Sequence, residues 1–470
     1  MAGTQSQAAR GARRSVLAAL MSTLALAALL AALPAPASAA EKAIWGPTTL
    51  PDGASAFPLY RALGVDTYQI SVNWAAVAPS QPGSPTDPSD PAYRWPAELD
   101  RAVAEARGQR IDVAVLVSGS PAWANGGGPS IRAPAPGAFA DFLTAASRRY
   151  GSVRRWMIWG EPNRDDRFQP SGDPTAARAY APLLDAAYVA LKRVSRANRV
   201  IGGMTWTGGS VTPARFLRGL RMPDGRPPRL DWFGHNPFPF RFPNLAEIPV
   251  AEGFRDISDL DTFTREINRV YKRPCRRRGK RLPRGSCDRR PRLWLSEYTV
   301  LSDRSSSTFR LSVSRGGQAR YLRASYRIAD RLDSVAGLGW FQLLDEVPGP
   351  GSSNWGLLTA DGQPKPALRA FERAPSERRA PGVRATRRLS RRAAARRGIV
   401  VRVRPRASGR VRIELRRAGG RRIVRATRRG RAGRRLGLRF RRALRPGRYV
   451  VVVDAPRGSR VTRRVALRRG

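Results

Sequence analysis

Histidine and cysteine are nearly missing from this chain of 470 residues, which has one histidine, His235, and two cysteines, Cys275 and Cys287. A histidine-rich zinc centre is therefore excluded, and two cysteines without a neighbouring histidine make a poor metal site. No glycine-rich phosphate turn follows the first strand-like segment, which speaks against an open dinucleotide-binding sheet. No cofactor is expected. Lysine is scarce as well: only Lys42, Lys192, Lys272, Lys280 and Lys365 stand among the 86 basic residues. Acidic residues number 35, and the formal net charge is +51. That excess invites a nucleic-acid reading. Its arginine-for-lysine form, with abundant alanine and proline, reads instead as the amino-acid bias of a GC-rich genome. Attraction to polyanions follows from charge whatever its origin, but a specific nucleic-acid partner does not.

Long apolar runs are also absent, with one exception. Residues 16–33 form such a run, preceded by Arg10, Arg13 and Arg14 and followed by the small-residue site Ala37-Ser38-Ala39. This is the pattern of a secretory signal peptide over residues 1–40, removed on export. Arg13-Arg14 hints at the twin-arginine route. An uncleaved anchor is the alternative, since the run is near the lower length limit of a membrane span. With the signal removed no stable membrane span is expected, and the protein is read as secreted or held at the cell surface. The cysteines fit that compartment. An even count at close spacing in an exported chain reads as one disulfide, Cys275–Cys287, worth ~3 kcal/mol if unstrained.

What is present is an alternation of apolar strand-like runs with amphipathic segments. Strands are expected at residues 42–46, 68–74, 111–117, 155–161, 200–206, 230–234, 293–296 and 338–343. Helices are expected between them at 59–63, 98–107, 138–150, 176–197, 213–220, 260–271 and 318–332. Eight strands alternating with helices point to a closed parallel (β/α)8 TIM barrel over residues 41–376. Residues 377–398 are rich in Arg, Ala and Pro, carry no strand signal and read as a linker. From residue 399 to 470 short alternating runs recur, at 399–403, 411–415, 423–426, 436–440, 449–453 and 461–467. A small immunoglobulin-like β-sandwich fits them. Between Pro381 and Gly470 there are 33 arginines against two acids, Glu414 and Asp454. A solvated basic surface on an accessory domain and a dedicated binding face both account for this.

Two of the barrel strands end alike. Trp156-Met157-Ile158-Trp159-Gly160-Glu161-Pro162-Asn163 and Leu293-Trp294-Leu295-Ser296-Glu297 each run apolar into a glutamate. Pro162 cannot donate to a ladder, so the first of these strands ends near Glu161. Each carboxylate then lies at the C-terminal lip of a buried strand, where such barrels carry their chemistry. A charged residue marking the exit to solvent is the plainer account. The separation leaves room for about three βα units at ~30 residues or more each. Two carboxylates at two lips suit glycoside hydrolysis, one as acid/base and one as nucleophile. The two segments resemble strands four and seven of clan A glycoside hydrolases, the retaining (β/α)8-barrel enzymes that include families 5 and 39.

The resemblance gives Glu161 the acid/base role and Glu297 the nucleophile role; a general acid needs a raised pKa, which an apolar wall such as Trp159 with a neighbouring carboxylate would supply. It makes Trp340, at strand eight, the sugar-stacking tryptophan, with Trp123 as a second stacking candidate. Core packing is the other account of any tryptophan and the one preferred for Trp156 and Trp232. His235, in His235-Asn236-Pro237-Phe238, resembles the strand-six histidine that lines such sites; a hydrogen-bonded scaffold residue is the alternative. Three positions depart from the clan's pattern. Gly160 stands where an asparagine holds the sugar 2-hydroxyl, Gln69 where strand two carries an arginine, and Phe238 where a tyrosine bonds the nucleophile. Asn163 and Asn236 are the candidates to replace the missing asparagine. The first functional reading is thus a secreted retaining glycosidase with a carbohydrate substrate. A catalytically weakened carbohydrate- or cell-wall-binding barrel is the second. A polyanion-binding surface protein is the third, its basic C-terminal domain suited to an anionic cell-wall polymer.

Overall fold

The computed structural model describes residues 40–271 except 246–247, and 290–376 except 307–310. It also describes 276–277, 280–281, 382–385, 388–390, 399–404, 409–417, 422–431, 434, 436–440, 447–454 and 460–468. Residues 1–39, nearly all of the segment expected to be a signal peptide, and both cysteines lie outside the described residues. Arg276–Arg277 and Lys280–Arg281 pair with each other as two antiparallel two-residue strands.

Eight parallel strands close a barrel, each beside its neighbours in sequence. They are β1 (Glu41–Trp45), β2 (Thr67–Asn73), β3 (Asp112–Ser118) and β4 (Arg155–Ile158). The circuit continues through β5 (Arg199–Trp206), β6 (Trp232–Asn236), β7 (Arg292–Tyr298) and β8 (Val335–Trp340). Around them run α1 (Phe57–Ala62), α2 (Ala97–Gly108), α3 (Pro136–Arg149) and α4 (Thr175–Val194). The ring is completed by α5 (Pro213–Gly219), α6 (Leu260–Val270), α7 (Arg315–Arg331) and α8 (Pro366–Arg373).

Helix α3 shows how sequence sets this layer. Pro136 opens it where a missing N–H costs nothing, and Arg148 and Arg149 close it beside the free carbonyls. Phe139, Phe142, Leu143 and Ala146 repeat at helical spacing and are buried on the barrel. Each of the three large side chains stabilises by ~1.5–3 kcal/mol relative to exposure.

The alternation of strand side chains makes two cores. Ala43, Trp45, Ala114, Leu116, Met157, Ile201, Trp294 and Ala336 fill the barrel interior. Ile44, Tyr68, Val115, Trp156, Phe233, Leu295 and Trp340 point the other way, into the layer shared with the helices. Trp156 is thus a packing residue. Trp232 packs too, stacked on Trp294 inside the barrel at 5.5 Å between ring centres.

The C-terminal part is all-β. One sheet orders β9 (Gly382–Ala385), β11 (Ile399–Arg404) and β14 (Leu436–Phe440). The other holds β10 (Arg388–Ser390), β12 (Gly409–Arg417), β13 (Arg422–Gly430), β15 (Gly447–Asp454) and β16 (Arg460–Arg468). Val401 and Val403 of the first sheet share a core with Ile413, Leu415, Val451 and Val453 of the second. Two strands, β9 and β10, lie in the stretch expected to be a strandless linker. Both are edge strands, recruited by backbone pairing to β11 and β16 and not by an apolar pattern of their own.

Candidate active site

Strand β4 stops at Ile158 and the chain turns sharply. Trp159 and Glu161 both take positive φ, 60° and 52°, a region that costs a non-glycine residue ~1–3 kcal/mol. Backbone bonds hold the turn from either side: Trp159 N–H donates to Val117 O at 2.9 Å and Glu161 N–H to Met204 O at 3.0 Å. The turn carries Trp159 into the outer layer, edge-on to Phe139 and Phe168, with its indole N–H on Arg167 O. It is therefore not the apolar wall expected beside Glu161.

Glu161 meets two donors instead. Arg164 Nη1 lies 2.8 Å from Oε2, and Asn236 Nδ2 donates to Oε1 at 2.9 Å. Asn236 ends β6, is 1% exposed, and accepts the backbone N–H of Glu297 on Oδ1 at 3.2 Å. An oxygen is the amide atom that can accept that N–H, so the orientation is fixed with Nδ2 toward Glu161. One side chain thus ties the two predicted carboxylates together.

Glu297 lies inside β7, and its carboxyl is pushed up to about 8. Burial is the main cause and the charge of Glu161 the next, opposed by Arg167, Arg164 and the Asn236 hydrogen bond. Arg164 is itself anchored. Its Nε and Nη2 fork onto Asp166 at 2.8 and 2.7 Å, and its guanidinium lies 5.1 Å from the ring of Trp206, the last residue of β5.

The other predicted residues divide sharply. His235 is fully buried, with Nε2 2.7 Å from Arg255 O and Nδ1 2.9 Å from Thr205 Oγ1. Burial lowers it to about 4, so it is a neutral scaffold ring. Asn163 spends its amide on Trp206 O, Val211 O and Trp206 N–H, fastening the β4 loop to the β5 loop. Gln69 is locked onto β7: Nε2 donates to Ser296 O, while Oε1 accepts from Trp294 Nε1 and Ser296 Oγ. Gly339 leaves room for this, since a Cβ there would come within 2.3 Å of Gln69 Nε2. Trp123 is half-buried, edge-on to Trp74, with its N–H on Ala78 O. Phe238 is buried.

Trp340 is fully buried in the outer layer, edge-on to Tyr298. The β7–β8 register shifts between Leu338 and Trp340, and the next residue, Phe341, packs with the barrel-interior core. Phe341 is partly buried and makes edge contacts with Trp45 and Trp355. At the end of β8 it is thus Phe341, and not Trp340, whose ring keeps some exposure. Phe341, Arg164 and Trp206 are the site residues that sequence reasoning missed. Only Arg164 carried a signal, as a base three residues beyond a candidate catalytic acid. Among the described residues, no three His, Cys, Asp or Glu side chains gather to hold a metal, and no helix is long and apolar enough to cross a membrane.

No family model and no curated relative matches the chain. Among solved structures it is similar to a family 39 glycoside hydrolase from the gut symbiont Bacteroides cellulosilyticus WH2. Identity is 16% and the TM-score 0.53, over 92% of this chain and 80% of that one. It is also similar to the GH39 enzyme from Xanthomonas axonopodis pv. citri, at 14% identity and a TM-score of 0.49, over 93% and 94% of the two chains. The first likeness is one of fold, and the fold is the (β/α)8 barrel that the sequence led us to expect.

Proposed function

We propose that this protein is an exported glycoside hydrolase that cleaves a poly- or oligosaccharide by retaining double displacement. The observation that carries the reading is the pair Glu161 and Glu297, tied through Asn236 at the C-terminal mouth of a barrel. Sharing that fold with a family 39 glycoside hydrolase supports it. In the first step Glu161 gives its proton to the glycosidic oxygen while the Glu297 carboxylate attacks the anomeric carbon, forming a glycosyl ester. In the second, Glu161 takes a proton from water, which displaces Glu297 and restores the starting configuration. Phe341 offers an apolar ring for the sugar's C–H face. Export rests on the N-terminal sequence pattern, and the Cys275–Cys287 disulfide on spacing. Thiol labelling of exported protein without reductant should find no free cysteine.

The test is a pair of variants. Glu297→Ala should stop turnover, and azide should then yield the anomer-inverted glycosyl azide. Glu161→Ala should slow substrates with poor leaving groups by ~10²–10⁴-fold and activated aryl glycosides far less. Full activity in either variant would overturn the assignment. A carbohydrate-binding barrel with weak turnover is the second reading, favoured by the Arg164 ion pair on the proposed acid. Affinity for oligosaccharides without hydrolysis would select it.

A further inference from the structure

We propose that Arg164 holds Glu161 as the carboxylate in the resting protein, and that it must let go of Glu161, while staying on Asp166, before acid catalysis begins. The proposal rests on the glycosidase reading of the pair and adds a positioning residue to it.

The geometry is that of a poor acid at rest. Both oxygens of Glu161 accept hydrogen bonds, Oε2 from Arg164 at 2.8 Å and Oε1 from Asn236 at 2.9 Å. Bonds of this kind are strong because the acceptor is a carboxylate, and protonating it weakens both. The charged groups around Glu161 are Arg164, Asp166 and Arg167 from its own loop and Glu297 from β7, with the neutral amide of Asn236 from β6. Asn236 cannot yield, because its Oδ1 is committed to the Glu297 N–H. Arg164 can. Only Nη1 faces Glu161, whereas Nε and Nη2 form the fork to Asp166 and the guanidinium keeps its place over Trp206. The two carboxylates also differ in setting: the Glu161 side chain is 12% exposed and that of Asp166 54%. Release of Nη1 thus leaves Arg164 paired at the solvent side and frees Oε2 toward the mouth. A sugar oxygen entering there takes the place of Nη1, and the proton moves from Glu297 to Glu161. No atom is gained or lost; one proton changes carboxyl.

The experiment compares the full chain with Arg164→Met, Arg164→Lys and Asp166→Asn. Two readouts are needed: the pH profile of kcat/KM on a glycoside with a poor leaving group, and the carboxyl ¹³C titration of the unliganded protein. The E161Q and E297Q variants assign the resonances. Arg164→Met should raise both the Glu161 titration and the acid limb of the profile by about one pH unit or more, the size expected for losing an opposite charge at contact. Arg164→Lys should restore most of the shift, and Asp166→Asn should move both readouts the other way by tightening the hold on Glu161. Asp166 is half-exposed, so its variant keeps the test open if Arg164→Met fails to fold. A Glu161 titration unmoved in Arg164→Met or Asp166→Asn, or a pH-independent loss of turnover, would overturn the proposal. If the wild type hydrolyses no glycoside, the glycosidase reading fails, and the ¹³C titration still decides what Arg164 does.

Discussion

At the lip of β4 the chain leaves the strand through two left-handed residues before it presents Glu161. At the lip of β7, Glu297 is still part of the strand and Tyr298 follows it. Glu161 is held by a guanidinium and an amide, while Glu297 is set mainly by burial and by the charge of its neighbour. In sequence the two lips follow one pattern, an apolar run stopped by glutamate. The difference teaches that strand pattern places a carboxylate and that the loops around it decide its chemistry.

The largest effect should come from cutting the link between the lips. Asn236→Ala removes a hydrogen bond to a charged group, worth ~1.5–3 kcal/mol. We expect kcat/KM to fall by ~10–100-fold, with little change in KM, and steady-state kinetics on an aryl glycoside will show it. A fall confined to KM would mean that Asn236 serves binding and not the pair.

The next effect is on stability. The folded-state value for Glu297, about 8, lies above its ordinary 4.5. The folded protein therefore keeps a proton that the unfolded chain gives up. Its contribution is fully present below pH 4.5 and is lost as pH rises to 8. Thermal scans of wild type and Glu297→Gln should show the wild type losing ground over that window and the difference flattening above it. Parallel curves would remove the asymmetry between the lips.

The smallest effect should be at Gly160. Its φ is not left-handed, and a Cβ there would meet only Leu116 Cδ2, at 3.4 Å, an ordinary contact. Gly160→Asn should change stability by no more than ~0.5 kcal/mol. Restored grip on a sugar 2-hydroxyl would appear as a higher kcat. Unfolding of the variant would show that the turn has no room for a side chain.

The barrel was legible because each strand is an apolar run and each helix keeps its own spacing. Both glutamates were legible for the same reason. What stayed hidden has physical causes. The resemblance chose Trp340, but strand eight carries an extra residue between Val335 and Gly337, and the structure buries Trp340 in the outer layer while Phe341 keeps some exposure. His235, Asn163 and Gln69 carry the same polar atoms whether they face a sugar or a carbonyl, and only the fold shows the carbonyls. Arg164 sits in an irregular loop, where periodicity says nothing. Strands β9 and β10 are edge strands whose short sequences, Gly-Val-Arg-Ala and Arg-Leu-Ser, look like the linker around them.

Lys42 offers a last consequence, one for the order of assembly. Its side chain, fully buried on β1, donates to Leu63 O at the end of α1 and to Phe371 O in α8, at 2.5 and 3.0 Å. The second bond spans 329 positions of the chain. A growing polypeptide that has made α1 still lacks the other half of this clasp until nearly the whole barrel has been synthesised. Contacts so distant in sequence are slow to form and come late. The seam between β1 and β8 is thus the place where an incomplete barrel would stay open longest.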